Sequence, residues 1–410
     1  MLRKYLDDLL INRNFALFMG GALLSASGSW FLSVSIGWLV WDLGHSELLL
    51  GLANFAQMGP LLLFGLLGGA VADRVDRRKL LLTAQVFGAG ASLCLAGVAW
   101  FGFLSVPVIL LLLLLIGITQ VFAWPTWSPF IADLVGPDRL RRAVALNSAR
   151  FNLTRIAAPT LAGLLLAEVG GAPCVAVAAA CQVSLVITLS AIRTPPRLNV
   201  AQSPIVAAIK EGLVVAWNTE AVREPLFIAG LIGMVILPYT VFLPAFAGQV
   251  LQIGPGGLGL LLTAVGLGAI AAAAVASGQT VARRPRQAQT FFTTVGGLAL
   301  AVFSLSTLPP LSLVALFFVG FGTLGFLTTA NATVQLAVPK HVVGRVIGIW
   351  TVLNAGTTPL GGIILGWLAE RIGLPFTMAG AGLLCAGICL GIALRPISPT
   401  AAVQPSGSAG

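Results

Sequence analysis

Charge is what this sequence has least of. Only 9% of its 410 residues are Asp, Glu, Lys or Arg, while 58% are apolar. A soluble chain carries roughly 25% charged residues, and 23 basic plus 13 acidic side chains cannot cover a soluble surface of this size. Cysteine is scarce too, which excludes a disulfide scaffold. Cys94, Cys174, Cys181, Cys385 and Cys389 show no metal-ligand spacing, and we read all five as small apolar fillers. The two histidines, His45 and His341, fall in loops. No Walker loop, nucleophile elbow or HExxH run is present, so no ATP-driven or enzymatic chemistry is visible and no cofactor or metal is implied. The net charge of +10 is not a nucleic-acid signal in so apolar a chain. What remains is a polytopic α-helical membrane protein. Its 48 glycines and 23 prolines fit, because both are tolerated in transmembrane helices.

A crossing needs about 20 apolar residues. Twelve such stretches can be read, at 15–41, 47–71, 79–101, 106–131, 142–167, 171–192, 225–249, 256–281, 288–308, 311–334, 343–368 and 373–394. Most gaps are short, so neighbours run antiparallel. The long gap, 193–224, reads as a linker carrying one amphipathic helix, 205–217, along the membrane surface. It separates a six-helix bundle, 1–192, from a second, 225–395; residues 396–410 read as a disordered tail.

The few charges fix the topology. Twenty of the 23 basic residues lie in the N-terminus, the alternate loops and the tail, all expected on one side; Arg371 stands opposite, and Arg150 and Arg155 lie within a span. The positive-inside rule then places both termini in the cytoplasm. The N-terminal run continues through Val40, too long for the apolar core of a cleaved signal peptide.

One stretch repeats at an offset of 202. Pro137 meets Pro339, Val144 meets Val346, Asn152 meets Asn354, Glu168 meets Glu370 and Gly171 meets Gly373. Two six-helix halves related by an axis along the membrane normal would produce this pattern, with a substrate site at the midplane between them.

Between spans 2 and 3 stand Gly69, Asp73, Arg74, Asp76, Arg77, Arg78 and Lys79. This resembles the signature loop of the major facilitator superfamily; Gly69, Asp73, Arg74, Arg77 and Arg78 match, and Asp76 replaces the usual Gly. Pro125 to Pro129, the turn at Gly136-Pro137-Asp138, and the run from Asn147 through Asn152 and Arg155 to Pro159 resemble the transmembrane secretion effector branch, which holds siderophore exporters and macrolide efflux proteins. The resemblance implies two pseudo-symmetric six-helix bundles, alternating access, and a gate at the signature loop. There Asp73 would pair with Arg74, Arg77 or Arg78, with Asp133 as a further partner; the plainer reading is topology anchoring. It also implies a cavity lined by spans 1, 4, 7 and 10.

Arg155 is the most informative residue. It lies about 20 Å along its span from Arg142, and a charge at mid-bilayer costs at least ~2.5–3.5 kcal/mol. All 13 acids fall near loops or span ends, so Arg155 must be solvated, bond carbonyls of a neighbouring helix, or meet an anionic or polar-acceptor cargo. Asn152 shares its face, and Arg150 sits nearer the cytoplasm. The expected cavity set is Arg155, Asn152, Arg150, Trp30, Gln120, Trp124, Tyr239, Asn331 and Asn354. Pro238 and Pro244 should bend or break span 7, while Gly65, Gly68, Gly69, Gly362 and Gly366 should permit close helix packing.

The expectation is a secondary transporter of the bacterial inner membrane, not an enzyme, acting as a monomer in the lipid bilayer on a small-molecule substrate, with no nucleic-acid partner. Export of a drug, siderophore or similar amphipathic molecule leads; import of a small metabolite, or a non-transporting receptor, are the alternatives. Proton antiport is implied by the resemblance alone and would run through Asp42, Asp73 or Asp133, or act indirectly.

Overall fold

The computed structural model describes residues 12–72, 74–193, 205–339 and 342–394. Every regular element among them is helical: α1 (Arg13–Gly44), α2 (Glu47–Ala72), α3 (Arg77–Trp100), α4 (Val106–Val135), α5 (Pro137–Val169), α6 (Gly171–Ala191), α7 (Ile205–Asn218), α8 (Glu220–Val250), α9 (Gly254–Ala276), α10 (Gln279–Arg283), α11 (Pro285–Leu305), α12 (Pro309–Ala337), α13 (Val343–Ile372) and α14 (Leu374–Ala393). Eleven of these are long and apolar enough to cross a bilayer. The twelfth crossing is α5, whose 33 residues extend about 50 Å. It falls short on hydropathy because it carries Arg139, Arg141, Arg142, Arg150 and Arg155.

Helix ends lie within five residues of those read from the apolar runs. The helices outlast the hydrocarbon where their ends are capped or charged. Asn12 caps α1 by accepting from the Phe15 amide. Asp76, where the family pattern has Gly, caps α3 by accepting from the Lys79 amide at 3.0 Å. Acids in the first turns of α5 (Asp138) and α8 (Glu220) favour the positive helix terminus, and both helices start a turn and a half before the apolar run. The apolar run 256–281 outlasts its helix: α9 stops at Ala276 and the chain turns into α10.

The spans sort into two groups of six. In the first, α1 packs on α6 and α5, and α3 and α2 pack on α4; in the second, α9 and α11 pack on α12, and α11 packs on α14. A shift of six spans relates their details. Arg78, opening α3, donates to the Leu189 and Ser190 carbonyls at the end of α6. Arg286, opening α11, donates to the Ile392 carbonyl at the end of α14 and pairs with Glu224 at 3.1 Å. Each guanidinium satisfies orphan carbonyls of a helix C-terminus. The turn glycines correct the sequence register by one: the left-handed residues closing α5 and α13 are Gly170 (φ 85°) and Gly373 (φ 89°), so Gly170, not Gly171, is the counterpart of Gly373.

Two helix pairs make the most extensive contacts between the groups, α5 with α9 and α2 with α13, and α8 also packs on α1 and α2. These pairs also exchange under a six-span shift. A Cβ on Gly163 of α5 would lie 2.8 Å from the Pro255 carbonyl and 2.9 Å from the Gly259 backbone, so only Gly lets these helices meet. Gly362 of α13 faces Gly51 of α2, and Gly366 faces the Glu47 carbonyl, as expected of close-packing glycines. Gly68 packs on Val121 within the first group, whereas Gly69 has open space and Gly65 meets only its own Leu61.

α8 does not break at its prolines. It stays continuous and widens into π-helical turns at Ile232–Ile236 and Phe246–Val250, which flank Pro238 and Pro244. Wider turns rehouse carbonyls that proline leaves without a donor. The linker helix α7 is held to the start of α13 by Glu211 and Arg345, and exposes Leu213, Val214 and Trp217. The expected tail, the N-terminal residues and most of the linker's proline-rich start lie outside the described residues, as do Asp73, Lys340 and His341.

Candidate substrate cavity

The basic loops define one end of the molecule, here called the basic end, and the α1–α2 and α5–α6 turns lie at the far end. Small and apolar residues on α1, α2, α5, α8 and α9 meet to line a partly open cavity of about 190 Å³. Trp30, Ser33 and Gly37 of α1, Asn54 and Gln57 of α2, Leu113 of α4, Arg155 of α5, Thr240 and Pro244 of α8, and Leu258 and Leu262 of α9 contribute to its wall.

Arg155 is the sole charged residue of that wall. Its guanidinium lies within electrostatic reach of the buried Tyr239 phenol and makes no hydrogen bond or ion pair among the described residues. The neighbouring-carbonyl reading of Arg155 therefore finds no support.

Arg150 takes that structural role instead. It is 9% exposed, donates to the Ala22 carbonyl at 2.6 Å and to Asn147 Oδ1 at 3.1 Å, and lies 5.6 Å from the Trp127 ring centroid. Those contacts tie α5 to α1 and α4 inside the first group, so the expected cavity role of Arg150 is corrected.

Of the nine residues expected in the cavity, Arg155 and Trp30 line it. Tyr239 is buried behind it at 2% exposure. Asn152 and Trp124 are exposed nearer the basic end, and Gln120 is half-buried there on α4. Asn331 of α12 accepts from Gln335 at 2.5 Å. Asn354 sits in the π-helical stretch Val352–Gly356 of α13, with its Nδ2 buried and without an acceptor. The expected lining by spans 1, 4, 7 and 10 holds for α1 and α8; α2, α5 and α9 take the places of most of α4 and of α12. The reason is that the α5–α9 and α2–α13 contacts draw those helices over the centre. Asn54 and Gln57 were missed, although three residues apart on an apolar helix puts them on one face.

Above the cavity the far end is sealed. The Thr160 and Thr263 hydroxyls bond each other across α5 and α9, and Thr263 also donates to the Ile156 carbonyl at 3.4 Å. The Ser46 hydroxyl and the Leu48 amide donate to Glu370 Oε1, so an acid at the end of α13 caps the start of α2 in the other group. Toward the basic end Phe151, one turn from Arg155 on the same face of α5, is exposed.

The expected gate at the signature loop looks different. Arg77 bonds Asp133 at 3.1 Å, joining α3 to α4, and Arg78 joins α3 to α6. These described contacts lie within the first group, not across the groups. Arg74 is exposed.

Two six-helix groups with crossed contacts around a central cavity are the architecture of major facilitator transporters. The nucleoside transporter NupG superposes with a TM-score of 0.73 at 14% identity, covering 93% of this chain and 97% of that one. The profile of the transmembrane secretion effector family matches residues 10–406, and the chain belongs to that family. The multidrug efflux pump Tap of Mycolicibacterium fortuitum is 28% identical over 381 residues, spanning 90% of this chain and 92% of that protein. The enterobactin exporter EntS of Shigella flexneri is 28% identical over 364 residues, spanning 85% and 82%.

Proposed function

We propose that this chain exports an amphipathic small molecule, a drug or a siderophore, across the bacterial inner membrane by alternating access. It works as a monomer with both termini cytoplasmic, so the basic end faces the cytoplasm. The sealed far end above a central cavity carries this reading. The exposed Phe151 on the Arg155 face of α5, between the cavity and the basic end, fits a molecule open to the cytoplasm. Cargo then enters from the inside, and rocking of residues 1–192 against 225–395 opens the far seam. The names of the relatives, a drug pump and a siderophore exporter, agree in direction.

The proton gradient drives the cycle. No carboxylate lines the cavity, so the coupling group sits at the span ends, where Asp42, Asp73 and Asp133 stand. The seam is poised rather than locked. Asn54 Oδ1, beside Gly362 at the α2–α13 contact, is buried without a partner, and such a group costs about 1–3 kcal/mol. A deletion strain challenged with a panel of drugs and siderophores tests the proposal. Hypersensitivity to at least one compound, reversed by the intact gene together with lower cellular accumulation, is expected; unchanged sensitivity and accumulation across the panel would overturn it.

A further inference from the structure

The cavity has one charge and nothing to balance it. Asn54, Gln57, Ser33 and Thr240 supply amides and hydroxyls around Arg155, Trp30 supplies an aromatic face, and no acid lines the wall. An unpaired guanidinium half-buried at the middle of a transmembrane bundle is unfavourable in the empty protein. An organic cation entering the cavity would be repelled by it. A planar oxyanion would be bound by paired N–H donors in a fixed fork, the geometry that arginine offers a carboxylate.

Size narrows the ligand further. At about 190 Å³ the cavity is smaller than the roughly 300–1,000 Å³ that encloses a drug-sized molecule. It therefore takes a head group, and the remainder of the cargo extends toward the basic end, where Phe151, one turn from Arg155 on the same face of α5, is exposed.

From the lone Arg155 and the acid-free wall we infer that the central cavity is a head-group site for organic anions, built to hold a carboxylate carried on an aromatic or otherwise apolar body. This rests on the reading of the cavity as the cargo site. It goes further in excluding cationic and neutral molecules from strong binding there.

Isothermal titration calorimetry on the purified full chain in detergent tests it, with benzoate and 2-naphthoate against benzamide and 2-naphthamide. Each amide matches its acid in shape and controls for partition into the micelle. The expected result is that at least one carboxylate binds at least tenfold more tightly than its amide. Arg155→Gln should abolish the preference and Arg155→Lys should retain part of it. Equal binding of acid and amide by the wild-type protein, no binding of either acid, or a preference that survives in a folded Arg155→Gln protein would overturn the inference. The wild-type comparison needs no variant to fold. Anion preference without efflux in cells would leave the site standing and remove the transport reading; efflux without anion preference would do the reverse.

Discussion

A single methyl group at the α5–α9 seam should shift the molecule toward its other state. In Gly163→Ala the new Cβ falls 2.8 Å from the Pro255 carbonyl oxygen and 2.9 Å from the Gly259 Cα and N. All three are backbone atoms, so no side chain can rotate away. Ordinary contact distances begin near 3.5 Å, which requires the helices to part by about 0.6–1 Å. The Thr160–Thr263 hydroxyl bond lies one turn away and stretches with them. Overpacking of this kind costs about 1–3 kcal/mol. The penalty applies only while the seam is closed, so the ratio of far-open to far-closed molecules rises roughly 5- to 150-fold.

The assay is labelling of Ser33→Cys, a cavity residue, in a background with Cys94 and Cys181 replaced by Ser. A membrane-impermeant thiol reagent is added to the outside of spheroplasts. Labelling should accelerate by that factor in Gly163→Ala. Gly97→Ala, whose Cβ would meet nothing within 4 Å, should leave the rate unchanged. An unaltered rate in a folded Gly163→Ala protein would show that the seam does not control access.

Other perturbations separate the remaining roles. Glu370→Ala removes the acceptor for the Ser46 hydroxyl and Leu48 amide and should raise the same labelling rate severalfold, which the spheroplast assay reads directly. Arg150→Ala strips the bonds to Ala22 and Asn147 and the contact with Trp127; it should cost about 2–4 kcal/mol of stability, seen as a lower melting temperature in detergent, while carboxylate binding at Arg155 is kept. Asp73→Asn should cut transport while membrane insertion, measured by immunoblot of the membrane fraction, stays intact; full activity would remove the signature-loop gate.

The spans were legible because apolar runs and basic loops mark them independently. Even α5, the most polar, could be placed from its flanking charges and from the Glu168–Glu370 repeat. What the sequence left ambiguous was which way a side chain points. Arg150 and Arg155 look alike in a one-dimensional reading. Five residues at 100° each leave them about 140° apart on the helix, and that turn sends one into the first group and the other to the cavity. Trp124 and Asn331 were assigned to the cavity by the helices that carry them. Their depth, nearer the basic end, follows from how far the far-end seam pulls α2, α5 and α9 together, a tertiary property with no local signal. Asn54 and Gln57 did leave a signal, two amides one turn apart in an apolar span. The π-helical turns of α8 were half-legible: Pro238 and Pro244 mark the place, but the choice of widening over breaking is made by packing against α2 and α13.

Transport direction is the point on which the account depends most. Inverted membrane vesicles containing the protein, energised to build a proton gradient and given a radiolabelled compound identified by the sensitivity panel, measure it directly. The account predicts uptake into the inverted vesicles against the compound's own gradient, collapsed by an uncoupler and lost in Arg155→Gln when the compound is an organic anion. Accumulation only in right-side-out vesicles, or uptake indifferent to the uncoupler, would contradict it.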